Sequence, residues 1–345
     1  MPASAPEAFH AFAVMAIVPA MSERPILIAG AGAIGSIVGA MLRRAGHEVT
    51  LLGRERHLGA IGRDGLRISG ILGDCHTHGF ALASDPARLK GPFDLILLAV
   101  KAYDTGSMAE RIAPLLAPGG VIVSLQNGVG NLDILARAFG PSRVIGARVM
   151  LGGEIPAPGA AHATVFGEPF AIGPSALTNR EHCAKLYERA REVAAMLTAA
   201  GIASEAVHDI APFLWMKLFY NAALNPLGAL LRLNYGALAA DADLRAIMDE
   251  VIEEAFAVAM ALEVPLPHQS AEAYRAVFYT KLVPATFNHR PTMLYDLEQR
   301  GRTDIMEMNG KVVELAERAG LRADTNRMLT RLIRARERMW HKEPS

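Results

Sequence analysis

"PILIAGAGAIGSIVGAMLRRAGHEVTLLGR" (residues 25–54) reads as a strand, a glycine turn, a helix and a second strand. Ile26 to Ala29 form a short apolar strand, and Gly30, Gly32 and Gly35 follow in G-x-G-x-x-G spacing. Each glycine has a physical task in such a turn. Gly30 permits the tight bend, Gly32 lets backbone approach a pyrophosphate, and Gly35 lets helix and strand pack closely. The helix starting near Ala33 offers free N–H groups and the positive end of its dipole. Gly30, Ala31, Gly32, Ala33, Ile34 and Gly35 are therefore the expected cradle of a dinucleotide. A plain strand-to-helix turn is the competing reading. The strand before and the helix after favour the cradle.

The second strand ends at "VTLLGR" (49–54), where NAD-preferring sites carry an acid for the ribose 2′-hydroxyl. Here Gly53 falls at about that position and Arg54 follows, 19 residues after Gly35. An arginine suits a 2′-phosphate, so the expected cofactor is NADP(H); otherwise Arg54 is a surface charge. Two near-continuous apolar runs, "FDLILLAVKAYDT" (93–105) and "GGVIVSLQNGVG" (119–130), read as parallel strands buried on both faces. They stop at Lys101 and at Gln126–Asn127. Ligands of open α/β sheets sit outside the carboxyl ends of the strands. Lys101 and Asn127 thus fall where cofactor and substrate should lie, although Asn-Gly is also a common turn pair.

The whole chain sets further bounds. Its 345 residues favour two domains, and 51% hydrophobic with 20% charged residues gives a globular protein with sizeable cores. Lys plus Arg balances Asp plus Glu at 35 each, so no global field exists to hold nucleic acid or an anionic membrane. Two widely separated cysteines, Cys75 and Cys183, fit a reducing compartment, and the expected location is cytoplasmic. "AFAVMAIVPA" (11–20) has no Lys or Arg before it and is too short to span a bilayer. Residues 1–21 read as an extension, disordered or a mis-assigned start, with Met21 a candidate initiator. "CHTH" (75–78) matches no complete ligand set, so no metal is expected. His162 lies in a stretch (159–173) that alternates like an edge strand or hairpin.

After "GIASEAV" (201–207), a last strand, the pattern turns helical. Residues 240–264 place apolar side chains at helical spacing, and further helices are predicted near 212–224, 268–282, 302–319 and 323–340. The boundary is placed at Val207–His208, giving a Rossmann-type domain over 22–207 and a helical one over 208–345. The active site is expected in the cleft between them. In "KLFYNAALN" (217–225), Lys217, Asn221 and Asn225 recur every four residues. Each step drifts about 40° round a helix, so the three share one side. Trp215, Leu218, Phe219 and Leu224 face elsewhere. Pro226 disfavours helical geometry at Asn225, so the helix is predicted to end or kink there. Such a polar line is either a solvated face or the wall of a cleft. Its apolar surroundings favour the cleft.

At these residues the chain resembles the ketopantoate reductase (2-dehydropantoate 2-reductase) family from about Arg24 to Glu337. The carriers are "GAGAIG" (30–35), "AVKAYD" (99–104), "LQNGVG" (125–130), "WMKLFYNAALNPLGAL" (215–230) and "PTMLYDLEQRGRTDIMEMNG" (291–310). The resemblance implies a Rossmann-type N-domain with an all-helical C-domain, and hydride transfer from NADPH to the 2-keto carbon of ketopantoate. It implies Lys217 as the group that protonates the developing alkoxide and Asn221 as a substrate contact. Asn225 and Asn127 would line the substrate or nicotinamide region, and Lys101 would lie near the cofactor. Two positions depart from the family pattern. Thr292 stands where serine is common, and Asp304 where glutamate is usual. The resemblance implies that Thr292 and Asp304 bind substrate and that the Asp304 carboxylate also orients Lys217, but Asp304 is one methylene, about 1.5 Å, shorter. Either the backbone compensates or the substrate differs from ketopantoate. Glu307 is placed on the same helix face and is a candidate stand-in, or an ordinary exposed glutamate; Asp304 itself could be a helix N-terminal acid. The partner is thus a small branched 2-oxo acid. The competing functions are reduction of another oxo acid, or an NADP(H)-binding sensor. Oligomeric state is open, since the helical half can stand alone or present a face for a homodimer.

Overall fold

The computed structural model describes residues 25–299 and 301–340. The extension expected over 1–21 lies outside them. The chain begins with β1 (Ile26–Ala29), α1 (Ala33–Arg44), β2 (Val49–Leu52), α2 (Glu55–Asp64), β3 (Leu66–Gly70), β4 (Cys75–Thr77) and β5 (Ala81–Ala83). It continues through β6 (Phe93–Leu98), α3 (Thr105–Ile112), β7 (Leu116–Ser124), α4 (Asn131–Phe139), β8 (Val144–Arg148), β9 (Leu151–Glu154), β10 (Ala160–Phe166) and β11 (Phe170–Gly173). Then come α5 (Ala176–Asn179), α6 (Cys183–Ala199) and β12 (Ser204–Ala206), the last strand among the described residues. The rest is helical: α7 (Ala211–Leu231), α8 (Tyr235–Ala240), α9 (Ala242–Ala261), α10 (Ala271–Val277), α11 (Val283–Ala285), α12 (Thr292–Glu298), α13 (Asn309–Arg318) and α14 (Asp324–Trp340). No helix among the described residues is long and apolar enough to cross a membrane.

Eight strands form one sheet in the order β12-β11-β8-β7-β6-β1-β2-β5. All neighbours run parallel except β11 and β8. From β1 the chain winds outward to β2 and β5, then returns to lay β6, β7 and β8 on the other side. The carboxyl ends of β1 and β6 therefore flank the switch point, where such sheets bind ligands. The unbroken apolar strands follow from burial on both faces. In β1, Leu27 and Ala29 belong to one core while Ile26 and Ile28 belong to the other. The core holding Leu27 and Ala29 runs on without a break into Trp215, Phe219, Phe256 and Tyr274 of the helical half. Each such buried aromatic stabilises the fold by roughly 1.5–3 kcal/mol.

A second sheet, β4-β3-β10-β9, packs on α1. His162 sits in β10, between β3 and β9, so it is on an interior strand rather than an edge. Its Nδ1 pairs with the Ser69 hydroxyl at 2.9 Å.

The helical half departs from the sequence pattern in three places. First, α7 does not end at Asn225 but runs on to Leu231 with Pro226 inside it. Proline cannot supply the N–H that the Ala222 carbonyl would otherwise receive. The buried Asn309 side chain donates to that carbonyl instead, at 3.0 Å. Second, the helix expected over 302–319 begins only at Asn309, and Asp304 and Glu307 lie in the turn before it. Third, the short helices α8 and α12 have no long apolar period, and the sequence did not reveal them.

The small sheet is fastened to the glycine turn's helix by one buried histidine. Gly159 N–H donates to His57 Nδ1 at 3.1 Å, so Nε2 carries the proton and donates to the Ser36 hydroxyl on α1 at 3.0 Å. Burial pulls the His57 pKa below its ordinary 6.5. The neutral ring is the one that fits, because a protonated Nδ1 would lose the Gly159 bond. The folded protein thus binds fewer protons than the unfolded chain, and stability falls as pH drops through 6.5 toward the folded pKa. His57→Gln should make the decline of Tm between pH 7 and 5 shallower than in the wild type. A slope equal to that of the wild type would exclude this histidine as a contributor.

Candidate active site

The glycine turn is shaped by what surrounds each position. Gly30 has φ +115°, and a Cβ there would come within 2.5 Å of Val100 N and 2.6 Å of Ala99 C. The end of β1 thus lies directly against the end of β6. A Cβ on Gly35 would fall on the Gly30 carbonyl oxygen. At Gly32 the reverse holds: apart from its chain neighbours, no atom of the described residues lies within 4 Å of its Cβ position. α1 begins immediately after it with no side-chain cap, so its first N–H groups face outward unclaimed by such a cap. This cradle fits a dinucleotide pyrophosphate. Arg54 stands exposed at the end of β2, as the residue before α2.

Lys101, just beyond β6, is drawn away from open solvent by the helical half. Its ammonium pairs with Asp296 of α12 at 2.7 Å and lies 3.6 Å from Asp304. Burial works against this charge, but Asp304 and Asp296 outweigh it and hold the lysine above its ordinary pKa. The resemblance linked the Asp304 position to Lys217; here the cation beside it is Lys101. Asp304 Oδ1 and Glu307 Oε2 are buried without a hydrogen-bond partner among the described residues. Glu307 is pushed above the usual carboxylate range by burial and by Asp304. Asp296 was missed from sequence. Its only signal was its place four residues after Thr292 in the 291–310 block.

Asn127 is exposed in the turn after β7, and its carbonyl accepts from Asn131 Nδ2 at 2.8 Å. Gly128 beside it has φ +92°, and a Cβ there would come within 2.6 Å of the Glu307 carbonyl. The Asn127 turn and the Asp304–Met308 turn therefore touch. Buried Gln126 fixes the geometry by donating to the Val100 carbonyl at 2.9 Å and to the Thr105 hydroxyl at 2.8 Å.

Along α7 the three polar residues have different fates. Lys217 donates a short hydrogen bond to the carbonyl of Val149, the residue after β8. Burial foremost, and then the Arg148 guanidinium, lower its pKa to about 7. Asn221 is buried, yet no side-chain hydrogen bond engages its carboxamide among the described residues. Asn225 is held within the helical half: its Oδ1 accepts from the Tyr235 hydroxyl at 2.5 Å, and its Nδ2 faces Met308 Sδ at 3.9 Å. Thr292 is exposed at the first turn of α12. The fold thus brings Lys101, Asp296, Asp304, Glu307 and the Asn127 turn together, and sets Lys217 at the carboxyl end of the same sheet.

A dinucleotide-binding α/β half joined to a helical half that presents lysines and amides at the strand ends defines an oxidoreductase. Residues 26–176 match the family "Ketopantoate reductase PanE/ApbA", and residues 209–337 match its C-terminal counterpart. The 2-dehydropantoate 2-reductase of Aquifex aeolicus is 35% identical over 314 residues, covering 90% of this chain and 96% of its own. That of Archaeoglobus fulgidus is 32% identical over 319 residues, covering 92% and 99%. The crystal structure of a PanE/ApbA family ketopantoate reductase from Ralstonia eutropha JMP134 superposes with a TM-score of 0.78 at 34% identity, covering 91% of this chain and 99% of that one. The chain belongs to the ketopantoate reductase family, and is an oxidoreductase acting on a keto group.

The two glycine environments separate folding from binding. Gly32→Ala should leave Tm near that of the wild type and weaken dinucleotide affinity at least tenfold, because its methyl enters the space left for phosphate. Gly35→Ala should lower Tm, because its methyl meets backbone. Calorimetry and fluorescence titration read the two effects. A Gly32→Ala protein that binds dinucleotide like the wild type would refute the cradle.

Proposed function

We propose that the protein reduces 2-dehydropantoate to pantoate with NADPH, and that Lys217 is the general acid. One observation carries the reading: two lysines at the strand ends are pulled in opposite directions. Lys101 is held protonated by Asp296 and Asp304, whereas Lys217 lies near pKa 7. Divergent environments of this kind separate a fixed charge from a proton donor. When bound, the reduced dinucleotide supplies the hydride. Negative charge then develops on the substrate's keto oxygen. Lys217 stabilises it and passes over its proton, a transfer most efficient when the donor titrates near the working pH. The uncommitted amide of Asn221 is suited to donate to the same oxygen. Asp304, whose Oδ1 has no hydrogen-bond partner among the described residues, accepts from a substrate hydroxyl, which 2-dehydropantoate carries. Thr292 and Asn127 contact the substrate from the rim, and Asn225 fixes the wall behind it. Lys101 lines the cofactor side of the site. The domains assigned to these tasks are 22–207 and 208–345.

Arg54 is the proposed 2′-phosphate ligand. It is exposed at the end of β2, and no acid stands at Gly53 or Arg54 to repel a phosphate. Arg54→Ala should raise the Kd for NADPH by about tenfold or more and leave that for NADH nearly unchanged. Equal losses for both would remove the assignment.

The reaction is tested by following NADPH oxidation with 2-dehydropantoate beside ketoisovalerate and pyruvate. Preference for 2-dehydropantoate is expected, with kcat falling as pH rises through about 7, since the acid must be protonated. Lys217→Ala should lower kcat by roughly 10²-fold or more while NADPH affinity changes little. An unchanged kcat would take Lys217 out of the mechanism, and preference for another oxo acid would replace the substrate.

A further inference from the structure

One further charged group stands against Lys217. Arg148 ends β8 and immediately precedes Val149, whose carbonyl receives the Lys217 ammonium. Its guanidinium lies 5.6 Å from the ring centre of Phe213, which is one turn ahead of Lys217 on α7. The side chain is only 12% exposed. Nη1 pairs with Glu168, Nη2 donates to the Pro169 carbonyl at 3.1 Å, and Nε is buried with no hydrogen-bond partner among the described residues. The carboxylate facing this guanidinium is thus that of Glu168, itself 50% exposed to water. Glu168 is in direct contact but half in water, so it offsets the field of the nearly buried guanidinium only in part.

The other elements packed against α7 direct their charges elsewhere. On α9, Asp249 and Glu253 face Arg275, and Glu254 holds the backbone of Thr325 and Asn326. Asp296 of α12 holds Lys101, and Glu337 of α14 holds Thr303. Tyr235 of α8 is committed to Asn225. No carboxylate therefore pairs with the Lys217 ammonium among the described residues.

We propose that Arg148 is a positioning residue for the acid: it sets positive charge against the Lys217 ammonium and eases release of its proton, with Glu168 as the counter-charge that limits the effect. The proposal rests on the reading of Lys217 as general acid and adds the group that tunes it. Two like charges brought together in a partly dry site disfavour the protonated lysine. The Arg148 charge adds to burial in lowering the Lys217 pKa. Glu168 opposes this by partly neutralising the guanidinium.

The test reads the proton on Lys217 in the free enzyme, by NMR titration of protein labelled with ¹³Cε-lysine. Lys217→Arg assigns the signal. In Arg148→Gln the midpoint should rise by roughly one pH unit. In Arg148→Lys, which keeps the charge, it should stay close to that of the wild type. In Glu168→Gln it should fall. An unmoved midpoint in Arg148→Gln, or shifts of the same sign in Arg148→Gln and Glu168→Gln, would overturn the proposal. If Arg148→Gln does not fold, Glu168→Gln decides alone, and an unmoved midpoint there overturns it equally. The titration needs no substrate. A wrong substrate fails in the reductase assay and leaves this result standing. Loss of turnover in Lys217→Ala with no shift in Arg148→Gln would sink only the inference.

Discussion

The site depends on a largely buried ammonium that no carboxylate among the described residues meets. An ion taken into a protein interior costs several kcal/mol unless it is paired or gives up its charge. Among the described residues Lys217 is offered the Val149 carbonyl and the like charge of Arg148. It therefore sits near the point of losing its proton, which is the state a proton donor needs. That state requires α7 to be fixed rigidly over the end of β8. The core shared by one sheet face and the helical half supplies this rigidity. So does Asn309, which keeps α7 continuous through Pro226.

The two halves are also joined by polar and close-packed contacts near the switch point. Lys101 reaches from the end of β6 to Asp296 and Asp304, and Gly128 lets the Asn127 turn rest on the Glu307 backbone. A Cβ at Gly130 would likewise meet the Lys311 side chain of α13 at 3.1 Å. These contacts leave Asp304 Oδ1 and Glu307 Oε2 buried without a hydrogen-bond partner among the described residues. Such atoms carry a desolvation cost of about 1–3 kcal/mol each until something donates to them. In the proposed reaction a substrate hydroxyl relieves that cost at Asp304.

Much of the fold was legible in the sequence because its signals are local. The glycines at 30, 32 and 35, the strands that end shortly before Lys101 and Asn127, and the four-residue rhythm of Lys217, Asn221 and Asn225 each follow from backbone geometry over a few residues. The continuation of α7 past Pro226 was not legible. Its replacement donor, Asn309, lies far along the chain, and nothing near Pro226 announces it. The turn at Asp304 was misread as helix for a similar reason. The local pattern allowed a helix, but Thr303 is tied through its N–H and hydroxyl to Glu337 of α14.

The sequence by itself determined the dinucleotide cradle, the division into an α/β and a helical half, and the helix that carries the candidate acid. Only the tertiary structure decided the charge on each lysine. Lys101 and Lys217 are the same residue type, one just beyond β6 and the other reaching the end of β8 from α7. One meets two aspartates and the other a carbonyl and an arginine. Proton affinity is set by burial and by charges within several ångströms, and those neighbours come from segments remote in sequence. Asp296 and Arg148 became visible for that reason only once the chain was folded.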